Sequence, residues 1–206
     1  MFTSTSNAEL SEAGAADVLI PLIRAAATIG FAIAPCSLGF VIIAVSEQLI
    51  RSIMVGDDPE MLMSDLQNQF PNHAIELNEN DDAGLVAKVV DLIERPDKAS
   101  DLPLDIRGTD FQVRVWDALQ QVPAGTTVSY TFLAEQIGAP NAVRAVAQAC
   151  AANPLAVAIP CHRAVGASGD LAGYRWGIER KRALLQREAK QSNECLQRSS
   201  TRRQLP

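Results

Sequence analysis

Hydrophobic positions fall into uninterrupted apolar runs early in the chain and into helical faces later. Phe40–Val45 and Leu49–Met54 are β-branched runs on either side of Ser46-Glu47-Gln48, which predicts a hairpin. Ahead of them, Ala25 to Val45 carries no charge over 21 residues, a length that would cross a bilayer. Gly30, Pro35, Ser37 and Gly39 interrupt it, and Pro35-Cys36-Ser37-Leu38-Gly39 reads as a turn, so two buried strands are expected instead of a membrane helix. Residues 1–10 are small and polar, and within 11–24 Val18, Leu19, Leu22 and Ile23 stand at helical spacing. Asp57-Asp58-Pro59-Glu60 reads as a helix start, with acids at the positive end of the dipole and Pro in the first turn, and that helix should reach Gln69. Residues 71–83 are polar and acidic and read as a loop; a helix over 83–94 should follow, ending before Pro96.

Pro96 and Pro103 in a polar setting mark a domain boundary over 97–104. Beyond it, Thr109 or Asp110 caps a helix whose Phe111, Val115, Trp116 and Leu119 share a face. Two short helices, over 131–137 and 141–152, are separated by Gly138-Ala139-Pro140. This is the outline of a helix-turn-helix, which is also the outline of many αα corners. Leu155–Ile159 is expected to be a short buried strand running into Pro160-Cys161-His162-Arg163, with a glycine-marked loop over 166–173 and a closing helix over 178–188. Residues 191–206 read as a flexible polar tail. There are no internal repeats.

Composition adds one asymmetry. The 206 residues are 48% hydrophobic and 20% charged, values of a globular chain with a sizeable core. The formal net charge is −6, but residues 1–100 hold 15 acidic against 5 basic side chains, whereas residues 101–206 hold 9 against 13. An acidic half joined to a basic half suits a second half that meets an anionic partner. The four cysteines, at 36, 150, 161 and 195, form no close pair, so neither a zinc site nor a disulfide framework is suggested and a reducing, cytoplasmic setting is expected. The first sixteen residues contain no Lys or Arg, so no basic region of a signal peptide is seen there.

Cys161 carries the candidate chemistry. A thiol attacks only as thiolate, so its site must supply a base or a positive field. His162 can take the proton, and a carboxylate from elsewhere in the chain can orient the imidazole. Neighbouring side chains on an extended strand point apart, so a bridging water or a tight turn at Pro160-Cys161 is required. A bare Cys-His pair is more often an inert buried thiol beside a surface histidine.

The surrounding strings change that balance. Arg107-Gly108-Thr109 with Phe111-Gln112 and Val115-Trp116, then Ser129-Tyr130, Ala142-Val143-Arg144-Ala145-Val146, Asn153-Pro154, Pro160-Cys161-His162-Arg163, Gly173-Tyr174-Arg175-Trp176-Gly177, and Leu184-Leu185 with Glu188 occur in order. With them, residues 107–189 resemble the catalytic domain of the O6-alkylguanine-DNA alkyltransferases, the methylated-DNA–protein-cysteine methyltransferases, above all the carboxy-terminal half of bacterial Ada proteins. Residues 30–106, with Cys36-Ser37-Leu38-Gly39, resemble the family's variable first domain.

The resemblance implies an α/β unit of ribonuclease-H-like fold over 26–100 and a mainly α, winged-helix catalytic unit over 103–190, after an extension over 1–25. It implies that Cys161 accepts the alkyl group from O6-methylguanine, with O4-methylthymine a second candidate, in one irreversible turnover. His162 would pass the thiol proton through a water toward Glu188, Tyr130 would donate to guanine N3, and Asn153 would brace the turn that presents Cys161. Arg144 would fill the space left by a flipped nucleotide, with Ser129, Tyr130, Ala142 and Ala145 against double-stranded DNA in its minor groove. The carbonyls of Cys161 and Ala164, the amide of Arg175 and the ring of Tyr174 would form the base pocket. No cofactor, metal, membrane or second subunit is implied. The zinc-binding cysteine set of full-length Ada proteins is not among the four cysteines here, so base repair is expected without phosphotriester repair or transcriptional control.

Each residue also has an ordinary reading. Tyr130 and Tyr174 are plausible core aromatics, Arg144 a solvated helix charge, Glu188 a partner for a neighbouring cation, and Asn153 a turn residue. Trp116 and Phe111 are assigned to packing, and Cys150, Cys195 and His73 receive no role. Two other functional classes remain: a damage-recognition protein of the same fold, disfavoured because Cys161 is present with His162 and Glu188, and a cysteine hydrolase, for which no oxyanion-hole string is seen.

Overall fold

β1 (Thr28–Cys36) and β2 (Gly39–Ser46) are the two strands expected within the uncharged stretch, paired antiparallel from Gly30↔Val45 to Cys36↔Gly39. Gly39 is required at the turn: its φ is +103°, and a Cβ there would lie 2.4 Å from the Gly56 carbonyl oxygen. The computed structural model describes residues 28–78, 84–96 and 101–202, with side chains as far as residue 191. The helix expected over 11–24 and the extension over 1–25 therefore lie outside the described residues.

β3 (Leu49–Gly56) completes the second hairpin, with Glu47 and Gln48 both left-handed (φ 52° and 65°), the backbone of a tight two-residue hairpin turn. Val41–Val45 of central β2 are all buried, which explains their unbroken apolar run. α1 (Pro59–Gln69) begins as expected, the Asp58 side chain accepting from the Glu60 amide at 2.8 Å.

β4 (Ala74–Leu77) lies inside the stretch expected to be loop; it pairs parallel to β1 and gives the sheet order β3-β2-β1-β4. Four residues of a mostly exposed edge, with Leu77 60% exposed, carry too little pattern to reveal a strand before its partner is known. α2 (Leu85–Glu94) packs on β1, and α1 packs on β2 and β3.

α3 (Asp110–Gln120) opens on a capping box: Thr109 Oγ1 accepts from the Gln112 amide and Gln112 Oε1 accepts from the Thr109 amide. Trp116 is buried as expected and its Nε1 donates to the Ala149 carbonyl at 2.9 Å. α4 (Tyr130–Gln136) and α5 (Val143–Ala151) pack on each other and on α3, joined through left-handed Gly138. Two-residue strands β5 (Val128–Ser129) and β6 (Ala164–Val165) pair parallel. The closing helix α6 runs Ile178–Arg202, so the tail expected from residue 191 is helical backbone through Arg202. Residues 178–205 contain neither Gly nor Pro, and polar composition alone does not end a helix.

The two halves are joined along β3. Its edge amides and carbonyls pair with the second half twice: Ile50 N to Pro103 O and Asp105 N to Ile50 O, then Ile53 N to Pro154 O and Ala156 N to Ile53 O, all 2.7–2.9 Å. An otherwise open sheet edge is thereby covered, and the buried apolar residues of both halves form one continuous cluster.

Candidate active site

The segment expected to be a strand over Leu155–Ile159 is buried but not extended; it makes a single bridge at Leu155 and then turns. Fully buried Asn153 curls it. Its Oδ1 accepts from the Leu155 amide at 2.9 Å, and its Nδ2 reaches the Ile159 carbonyl at 2.9 Å, the Leu155 carbonyl at 3.3 Å and Cys161 Sγ at 3.2 Å. Val157 is held at φ 64°, a conformation that costs a β-branched residue about 1–3 kcal/mol and persists only where its surroundings enforce it. Cys161–Arg163 then form one 3₁₀ turn. With three residues per turn, successive side chains fan out by about 120°. That turn resolves the adjacency problem of an extended Cys-His pair.

Cys161 is 3% exposed and lines a cavity of about 390 Å³ with Tyr130, Cys150, Tyr174 and Arg175. Burial pushes its thiol up to about 11, against the lowering pull of the Asn153 hydrogen bond and of the Lys181 and Arg175 charges. The resting group is thus a thiol that must be deprotonated on demand.

A buried imidazole lies behind it. His162 and Glu188 are both fully buried, with Nε2 and Oε1 2.8 Å apart. Burial holds the imidazole below its ordinary pKa despite the hydrogen bond and charge of Glu188; Arg163 and Lys181 add to the lowering. Burial would raise the Glu188 carboxyl, but His162 and Arg163 outweigh it and hold it below the usual range. The ring is therefore neutral and donates Nε2–H to a carboxylate, with a lone pair on Nδ1, which is buried and has no hydrogen-bond partner among the described residues.

Two buried cations escaped the sequence reading. Arg163 donates to both oxygens of Glu188 (2.9–3.2 Å), and Lys181 Nζ donates to the carbonyls of Ala164 (2.6 Å) and Ala172 (3.0 Å). The available signal for Lys181 is helical spacing: Lys181, Leu184 and Glu188 share one buried face of α6.

Other expected residues divide by position. Tyr130 stands at the first position of α4 on the cavity wall, and burial, with Cys150 and Cys161 adding, pushes its phenol up to about 12, so it is a hydrogen-bond donor. Tyr174 is edge-on to His162 and to Trp176, and its buried hydroxyl has no hydrogen-bond partner among the described residues. Ala164 does not line the cavity; it is fully buried behind it, its carbonyl held by Lys181. Ser129 caps α4, accepting from the Phe132 amide at 3.0 Å. Ala142 caps α5, and Arg144 and Ala145 lie in its first turn, Arg144 exposed. Arg144, Ala147 and Ala151 share a face of α5, and the latter two line the cavity.

Residues 110–190 match the family described as 6-O-methylguanine DNA methyltransferase, DNA binding domain. The bifunctional transcriptional activator/DNA repair enzyme Ada of Escherichia coli is 51% identical over 164 residues, 77% of this chain and 45% of that protein. The inducible methylated-DNA–protein-cysteine methyltransferase of Bacillus subtilis is 37% identical over 135 residues, 66% of this chain and 75% of that one. Among solved structures, the Mycobacterium tuberculosis alkyltransferase crystallised with DNA aligns with TM-score 0.64 at 36% identity, over 79% of this chain and 93% of that one. The chain spans about half the length of several curated relatives it matches, 45% of Ada and 53% of the M. tuberculosis methyltransferase. With relatives above 30% identity covered over three-quarters or more of their own length, the chain belongs to the methylated-DNA–protein-cysteine methyltransferase family.

Proposed function

We propose that this chain repairs O6-methylguanine in double-stranded DNA, moving the alkyl group irreversibly to Cys161 once per molecule. The observation that carries the reading is the Cys161 sulfur on the wall of an open cavity, with a buried neutral imidazole and its carboxylate immediately behind. A base inside a duplex stack cannot meet a buried thiol, so the nucleotide is extruded into the cavity, and a damaged pair costs less to open.

There Cys161 gives its proton, through a water, to Nδ1 of His162, and the imidazolium is stabilised by Glu188. Sulfur attacks the methyl carbon in line; the C–S bond forms as the C–O6 bond breaks and its electron pair stays on the base. The Tyr130 hydroxyl, donating to guanine N3, spreads the charge on the departing base. The net change moves the methyl group from oxygen to sulfur and the thiol's proton to guanine. A thioether has no leaving group for water to displace, hence one turnover.

Arg144, exposed one turn from the cavity wall on α5, fills the vacated stack from the minor groove, with Ser129, Ala142 and Ala145 beside it. The α4–Gly138–α5 pair and the β5–β6 strands support a winged-helix reading of the second half, and the β3-β2-β1-β4 order supports a ribonuclease-H-like reading of the first. The protein acts as a monomer in the cytoplasm. O4-methylthymine is a second candidate substrate.

The test is intact-protein mass after mixing with excess duplex oligonucleotide containing one O6-methylguanine, beside Cys161→Ala. A gain of one methyl group, mapped to Cys161 and absent from the variant, is expected. Selective binding of the damaged duplex with no mass change would overturn the transferase reading in favour of a damage sensor.

A further inference from the structure

Arg163 is the residue of the acceptor turn for which the reaction above has no use. It is 8% exposed, and its donors are nearly all engaged. Nε bonds both oxygens of Glu188 (3.1 and 3.2 Å), Nη2 bonds Oε1 (2.9 Å) and the Pro96 carbonyl (3.3 Å), and Nη1 bonds the Val122 carbonyl. The carboxylate also accepts from the Gly125 amide at 3.0 Å and holds His162 Nε2. Arginine and imidazole therefore share one oxygen of one buried anion, within the about 4–6 Å over which a neighbouring charge shifts a titration by one pH unit or more.

The groups facing His162 are Glu188 and Lys181 from α6, Arg163 and Cys161 from its own turn, and Tyr174 from the preceding loop. Glu188 alone favours an imidazolium. Its charge is already balanced by Arg163, so protonating His162 would leave an unpaired positive charge on a fully buried ring.

We propose that Arg163 is a positioning residue that, together with burial, keeps His162 neutral at rest by claiming the carboxylate an imidazolium would need, and so helps set the lowest pH at which Cys161 transfers. The role of His162 as proton acceptor rests on the function proposed above; its resting neutrality does not. The arrangement also makes the imidazolium formed during transfer short-lived, because it is held by a carboxylate whose charge is shared.

The sign follows from the base being active only when neutral: transfer is complete above the His162 pKa and lost as pH falls through it. Removing the arginine charge in Arg163→Gln frees Glu188 to pair with an imidazolium. The His162 titration then rises by about one pH unit or more. Over the pH range in which His162 of the variant titrates and that of the wild type does not, transfer by Arg163→Gln should fall by up to about tenfold per pH unit while the wild type holds its rate, since one pH unit is a factor of ten in population. Arg163→Lys retains a charge and should keep the wild-type pH profile while losing thermal stability with the Pro96 and Val122 bonds. A merely structural role would lower the rate equally at every pH.

Imidazole NMR reads this without DNA, because the chain has two histidines and His73→Gln assigns the pair. A titration of His162 that moves upward in Arg163→Gln and stays in Arg163→Lys is expected. An unchanged titration in Arg163→Gln, or an equal shift in both variants, overturns the proposal even if methyl transfer stands. If Arg163→Gln does not fold, the wild type and Arg163→Lys still decide: His162 already protonated at pH 7 in either overturns it. Absence of methyl transfer by the wild type refutes the transferase reading and leaves the titration result intact.

Discussion

The two sides of Cys161 are built on opposite plans. Behind it, Glu188 accepts from His162, Arg163 and Gly125, Arg163 reaches on to Val122 and Pro96, and Lys181 bridges two carbonyls. In front, small residues of α5 and the loop before Tyr174 leave about 390 Å³ open, the Tyr174 hydroxyl has no hydrogen-bond partner among the described residues, and Arg144 stands exposed one turn along α5 from Ala147 of the wall. Dense hydrogen bonding fixes geometry and protonation where a reaction needs them constant. Unused donors mark where a ligand supplies the missing partner. The Cys161 sulfur lies at the boundary, tied by Asn153 to the fixed side and open to the cavity side.

The largest effect should come from breaking the fixed side. Glu188→Gln strands Arg163 without its anion and leaves His162 without support for a positive charge. Breaking a buried ion pair costs about 3–5 kcal/mol, and losing an efficient base slows transfer by about a hundredfold or more. Urea unfolding checks the first number and single-turnover methyl transfer the second. Binding of damaged duplex should survive, because Glu188 touches nothing in front of Cys161. A variant that transfers within tenfold of wild type would remove the carboxylate from the relay.

The same division explains what sequence reading could reach. Elements written in local chemistry were legible: the hairpin turns, the helix start at Asp57–Glu60, a cap at Thr109 or Asp110, and the strings around Tyr130, Cys161 and Glu188. Features that depend on a partner far along the chain were not. Leu155–Ile159 has the composition of a strand, and only the Asn153 side chain, closing onto Leu155, Ile159 and Cys161, turns it and holds Val157 left-handed. Arg163 and Lys181 received no role, because burying a cation depends on acceptors that the sequence does not place beside it. β4 becomes a strand by pairing with β1, more than forty residues earlier, and four half-exposed residues give no sign of that.

On the receiving side the expected effects are smaller and depend on the substrate. Arg144→Ala should slow transfer on duplex DNA by about tenfold, a fraction of the few kcal/mol that unstacking a base costs. The same change should leave single-stranded substrate nearly unaffected, with stability within about 0.5 kcal/mol because the side chain is exposed. Parallel single-turnover rates on the two substrates decide it. Equal losses on both would place Arg144 in general DNA affinity instead of in holding the flipped state.

The smallest effect sharpens the comparison most, because it sets two thiols of one cavity against each other. Cys150 lines the same space as Cys161, and burial pushes it up to about 12 where Cys161 is pushed up to about 11. Both are protonated at neutral pH, so acidity alone does not choose the acceptor. What Cys161 has and Cys150 lacks is position: the Asn153 amide on its sulfur and the His162 base in the next residue of the turn. Cys150→Ala should therefore leave methyl transfer within about twofold, cost about 1 kcal/mol or less in stability for a modest loss of packing, and peptide mapping of the wild type should find no methyl on Cys150. Methylation of Cys150 when Cys161→Ala is mixed with the damaged duplex would show that proximity to the flipped base suffices without a base behind the sulfur, and the fixed side would then serve stability more than chemistry.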